Sequence, residues 1–195
     1  MSPTAYLLAL LGYGVMYALP YIFFQRKGGL GRFNLRWWLT GAPFAIGAVA
    51  IMLAWAQELP FHALVSPTSD LAYALDLIAV PLIAASIAMV AATIAVHKVP
   101  LALWHQADDA PVSIVTYGPY RYVRHPFYVS FILLLVGTAL LTREAIGLGA
   151  LAAGITVLGW TARREEQRLL ASSFGDEYAA YLARTGRFVP RLGMR

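Results

Sequence analysis

Apolar residues run along this chain in five long blocks, and the charge is gathered in the polar segments between them. Residues 6–24, 37–57 and 77–96 contain no Asp, Glu, Lys or Arg. Each comes close to the roughly 20 residues a helix needs to cross a bilayer core. Residues 127–142 and 145–162 are shorter, and only Arg143 and Glu144 part them, so they predict a tight helical hairpin. A helix over the first of these arms rises about 24 Å, which brings its tip near the far interface. The segments before and after such a hairpin end on the same side. The pattern predicts an all-α integral membrane protein with five transmembrane helices in one domain spanning residues 1–195. Residues 1–97 would carry the first three spans, and residues 98–195 a polar loop, the hairpin and a helical tail.

Composition agrees with this reading. Of 195 residues, 59% are hydrophobic and 13% charged, about half the charged share of an ordinary soluble domain. The net charge of +5 follows the topology. Arg26, Lys27, Arg32 and Arg36 lie between the first two blocks, whereas the second connection holds Glu58 and Asp70 and no basic residue. The third carries Lys98, Arg121 and Arg124, and the tail has seven arginines against four acids. Basic segments stay on the cytoplasmic side, so the N-terminus is expected outside and the tail inside, in a bacterial inner membrane. The N-terminus has no positive leader region, so the first helix is expected to be retained. Topology and attraction to anionic lipid account for the basic charge, and no nucleic-acid partner is expected.

Several features point away from other chemistry. The absence of cysteine excludes disulfides, thiolate metal sites and a cysteine nucleophile. His97 and His105 with Asp108 and Asp109 match no zinc spacing, His62 has no evident partner, and no metal is expected. Asp76 is expected at a helix boundary in a structural role. Gly28, Gly29 and Gly31 follow a membrane block and form no dinucleotide-binding turn. Pro20, Pro43 and Pro81 fall in or near spans that can absorb them. Gly149 with Ala153, and Ala150 with Gly154, are small pairs that suit close helix packing.

Residues 117–128 hold four tyrosines, two arginines and a histidine, just where an apolar block begins. Such residues commonly anchor a helix foot at the interface. Here the hairpin also brings Glu165 and Glu166 to the neighbouring foot, where they would pair with nearby arginines or help to line a polar pocket. Pro126 is suited to an early helical position, which puts His125 at the helix N-terminus. The residues at 169, 170, 174, 178, 181 and 182 recur at roughly helical spacing, and Gly175 is expected to divide them into two short helices.

The order of residues in "GPYRYVRHPFY", "REEQRLL" and "FGDEYAAYLARTGRFVPR" resembles the isoprenylcysteine carboxyl methyltransferase family and its phospholipid methyltransferase relatives, over roughly residues 116–191. The resemblance implies an S-adenosylmethionine-dependent methyltransferase with its cofactor at the cytoplasmic face, covered by the helical tail. Its acceptor would be lipophilic or lipid-anchored and would enter from the bilayer. By the same resemblance Arg124, His125 and Glu166 are the catalytic candidates. Tyr117, Gly118, Tyr120, Arg121, His125, Pro126, Tyr128, Glu165, Glu166 and Arg187 are the cofactor-binding candidates. The glutamates stand nine and eight residues before Phe174, one further than the family usually places them, and Glu166 is the preferred contact. A second departure is the loop around Trp104, where the family's Asn-Trp-Ser segment is missing.

The expected acceptor is a carboxylate such as prenylcysteine, which needs only an orienting cation, from Arg121, Arg124 or Arg187. A phospholipid amine needs a base. Membrane sterol reductases share part of the pattern but use NADPH and are longer, and a non-catalytic membrane protein is the third alternative. Oligomeric state is not legible.

Overall fold

The computed structural model describes residues 3–24, 35–56, 64–66, 68–96 and 114–191. Among these residues the chain forms six α-helices: α1 (Pro3–Phe24), α2 (Leu35–Trp55), α3 (Asp70–Ala95), α4 (Pro126–Thr142), α5 (Ala145–Leu170) and α6 (Gly175–Arg184). A 3-10 turn at Gly118–Arg121 leads into α4. The described residues contain no strand; one isolated parallel bridge joins Val123 to Gly186. Several residues singled out in the sequence, Arg26, Lys27, Arg32, Glu58, His62, His97, Lys98, Trp104, His105, Asp108 and Asp109, lie outside the described residues.

The helices match the five apolar blocks and extend past two of them. α3 starts seven residues before its charge-free stretch, because Ser69 caps it through a bond from the Ala72 amide (3.1 Å) and Asp70 occupies its first turn. Both are favourable at the positive end of a helix. Asp76 therefore lies inside α3 rather than at its boundary. α5 runs unbroken to Leu170, eight residues past its apolar block. The tail is thus one short helix and not two: residues 169 and 170 belong to α5, and Gly175 opens α6 after a turn.

α3 and α5 are long and apolar enough to cross a membrane, while α1, α2 and α4 hold shorter apolar stretches. α4 is central and packs against α1, α2, α3 and α5, which explains why it is apolar all round. Leu134, Leu135 and Leu141 of α4 are fully buried together with Ile51, Ile83 and Leu158. Small residues set the spacing: a Cβ at Gly137 would collide with Ile83, and one at Gly154 with Leu135. The Ala150/Gly154 pair thus faces the core, whereas Gly149 and Ala153 face outward. Within this apolar interior Tyr13 and Thr138 satisfy each other at 2.8 Å, as most buried hydroxyls do. Pro43 and Pro81 lie inside α2 and α3 without ending them.

The α4–α5 turn is as tight as its two charged residues require. Arg143 adopts φ 53°, a left-handed conformation costing a non-glycine residue about 1–2 kcal/mol. Its guanidinium, with a side chain only 4% exposed, pairs with Asp76 at 2.5 Å and reaches the Ala72 carbonyl. The Arg143 carbonyl accepts from the Leu64 amide (2.8 Å). A glycine would relieve the backbone but lose this ion pair.

Candidate functional site

The site is assembled at the opposite end of α4, from the segment that precedes it, the end of α5 and the tail. Gly118 begins it. Its φ of 62° favours glycine, and a Cβ there would run into Val96 at the end of α3. The Tyr117 hydroxyl donates to the Val96 carbonyl at 2.8 Å, fastening the turn to α3. The Pro119 carbonyl then accepts from the amides of Tyr122 and Val123. Tyr120 is half-buried, while Arg121 is exposed and makes no ion pair among the described residues. Pro126 takes the first position of α4, where its missing N–H costs nothing, and this leaves His125 at the cap position.

The tail runs beside this segment. The Arg124 amide donates to the Gly186 carbonyl (2.8 Å) and the His125 amide to the Arg187 carbonyl (3.2 Å). Arg124 sends its guanidinium to the carbonyls of Leu182 and Thr185 at the end of α6.

Successive residues on a helix point about 100° apart, and this separates the two glutamates. Glu166 turns inward, with its side chain 6% exposed, and both of its oxygens are taken. Oε1 accepts from Arg124 Nε (2.9 Å) and Arg187 Nε (3.0 Å) and lies 3.2 Å from His125 Nε2, while Oε2 accepts from Arg187 Nη2 at 2.5 Å. Burial works against its charge. The hydrogen bonds from His125, Arg187 and Arg124 outweigh that cost and hold its carboxyl well below the usual range. The same bond from Glu166 raises Arg187 further. Glu165 is 32% exposed; its Oε1 accepts from the Tyr128 hydroxyl at 2.5 Å and its Oε2 lies 3.6 Å from His125 Nδ1.

The rings complete the arrangement. His125 and Tyr128 stack with centroids 5.3 Å apart and planes within 1°, and Phe188 meets His125 edge-on at 6.1 Å. Of the residues singled out in the sequence, Arg124, His125, Tyr128, Glu165, Glu166 and Arg187 thus form one connected cluster. Tyr117, Gly118 and Pro126 shape the backbone leading to it, and Arg121 stands outside. Tyr181, Leu182 and Thr185 also join the site, although the sequence pattern marks 181 and 182 only as an apolar face. Tyr181 donates to the Tyr120 carbonyl at 2.6 Å, and burial pushes its hydroxyl up to about 12, so it remains a donor at neutral pH. No group of three His, Asp or Glu side chains among the described residues is arranged to hold a metal ion.

Residues 75–177, just over half of the chain, match the phospholipid methyltransferase family. The chain belongs to that family. Its members are integral membrane methyltransferases that generally use S-adenosylmethionine, and the match supports a methyltransferase over the reductase alternative. Two curated relatives are similar over part of their length. The cobalt-zinc-cadmium resistance protein CzcN of Cupriavidus metallidurans is 38% identical over 82 residues. The nickel-cobalt-cadmium resistance protein NccN of Alcaligenes xylosoxydans xylosoxydans is 40% identical over 83 residues. Each match takes in 42% of this chain and 38% of the relative, so the chain spans well under half the length of either.

Proposed function

We propose that this phospholipid methyltransferase family member transfers a methyl group from S-adenosylmethionine to a lipophilic acceptor held in the membrane. In this reading the chain is one domain with five crossings. Its N-terminus is outside, and its cofactor site lies at the cytoplasmic foot of the α4–α5 hairpin in a bacterial inner membrane. The observation that carries the reading is the division between adjacent glutamates. Glu166 is fully engaged by Arg124, His125 and Arg187. Glu165, 32% exposed, takes one hydrogen bond from the neutral Tyr128 hydroxyl and holds its other oxygen 3.6 Å from His125, beside stacked aromatic rings.

The cofactor, when bound, supplies a methyl group on a positively charged sulfonium. The residues present suit such a group. Glu165 offers a carboxylate to the cofactor's ammonium or ribose hydroxyls, and Phe188, partly exposed beside the stacked His125 and Tyr128, offers a π-face to a cation. The backbone at Gly118 is the candidate contact for the carboxylate or adenine. Arg124 and Arg187 act through Glu166, holding the tail against the His125 segment. Catalysis then rests on positioning and on exclusion of water.

The acceptor follows from the remaining charges. Of the three arginines suited to orient a carboxylate, Arg124 and Arg187 are spent on Glu166, which leaves the exposed Arg121. That balance favours a membrane amine over the prenylcysteine carboxylate expected from the sequence. His125, whose ring nitrogens face Glu165 and Glu166, is then the base that takes the amine's proton before the methyl group is transferred. Labelled-methyl transfer offered to both acceptors separates them: incorporation into the amine lipid supports the reading, and incorporation into prenylcysteine returns the role to Arg121.

Glu165→Gln tests the cofactor contact. The amide keeps the shape and still accepts from Tyr128 but loses the charge. A charge-assisted hydrogen bond contributes about 1.5–3 kcal/mol, so affinity for S-adenosylhomocysteine, measured by calorimetric titration in detergent, is expected to fall at least tenfold at unchanged thermal stability. Wild-type affinity in this variant would sink the assignment.

A further inference from the structure

α6 and the segment before α4 hold each other by an exchange of donors. From α6, Tyr181 sends its hydroxyl to the carbonyl of Tyr120, with the Val123 carbonyl 3.5 Å away. From the other side, Arg124 reaches the carbonyls of Leu182 and Thr185, in the region where a helix runs out of its own donors. These contacts flank the segment that sets His125, and the bonds from the Arg124 and His125 amides to the carbonyls of Gly186 and Arg187 in the tail continue from them.

The side chain at 181 is informative in itself. It is 2% exposed, and a phenylalanine would fill the same volume without a hydroxyl to desolvate. A buried phenol is favourable where the O–H finds a partner, and here the partner belongs to the turn, 61 residues away in sequence.

We propose that Tyr181 is a positioning residue for the cofactor site. Its hydroxyl sets the 118–123 backbone and, through it, the ring of His125. α6 is then a fixed buttress of the site and not a lid that swings over it. This rests on the reading of the site as one for S-adenosylmethionine.

The test is calorimetric titration with S-adenosylhomocysteine of the wild-type protein, Tyr181→Phe and, as control, Tyr122→Phe, whose side chain is exposed. Loss of one buried hydrogen bond predicts a Kd roughly three- to tenfold higher for Tyr181→Phe, with wild-type stoichiometry, a modestly lower Tm and no change in the control. A merely structural role would lower the Tm or the stoichiometry and leave the Kd of the folded fraction unchanged; that outcome, or a wild-type Kd, overturns the proposal. If the wild-type protein binds no S-adenosylhomocysteine, it is the functional reading that fails. Amide exchange at Tyr122 and Val123 then decides for Tyr181: faster exchange in Tyr181→Phe upholds the buttress, and an unchanged rate overturns it.

Discussion

Glu166→Ala is expected to abolish cofactor binding and to destabilise the protein by about 3–5 kcal/mol, the usual cost of removing one partner from a buried ion pair. The size follows from the number of groups that depend on this carboxylate. Arg124 and Arg187 would lose their shared counter-ion, and the guanidinium of Arg124 is itself buried. The contacts that hold the tail beside His125 would loosen with them. Thermal unfolding in detergent, together with S-adenosylhomocysteine titration, measures both effects. The folded-state carboxyl is held below its ordinary 4.5, so its contribution is complete at neutral pH and is lost only as acid titrates it below that value. A variant as stable as the wild type, with intact binding, would mean that the cluster neither supports the fold nor shapes the site.

Asp76→Ala is expected to cost a similar amount, about 3–5 kcal/mol, but with a different signature. Asp76 faces the buried guanidinium of Arg143 at the far end of α4, about 25 Å from His125 along a 17-residue helix. Its loss removes a carboxylate from a buried cation and leaves Arg143 holding a left-handed conformation with less to stabilise it. The His125–Glu166 cluster is untouched, so the Kd for S-adenosylhomocysteine of the folded protein is expected to stay at the wild-type value while Tm falls. Unchanged Tm would show that the pair contributes nothing. A weakened Kd would show that the two ends of α4 are coupled.

What the sequence revealed divides along a physical line. The helices were legible because uninterrupted apolar blocks of membrane length have few alternative structures, and the hairpin because two residues leave no room for a longer connection. The helix ends were less so: Ser69 caps α3 well before its apolar block, and α5 carries Arg163 to Leu170 past the apolar part as one continuous helix. At the site, His125, Tyr128 and the paired glutamates stood out by order and type. Which glutamate stays open did not, because that depends on the 100° between neighbours and on three partners from other segments. Two connections were invisible for the same reason. Asp76 with Arg143, and Tyr181 with Tyr120, join residues more than sixty positions apart, and no local pattern records such a pairing.

The most direct test of the central claim is calorimetric titration of the purified wild-type protein with S-adenosylhomocysteine and, in parallel, with NADPH. Saturable binding of S-adenosylhomocysteine, with none of NADPH, is the result this account predicts. Binding of NADPH alone, or of neither, would contradict it.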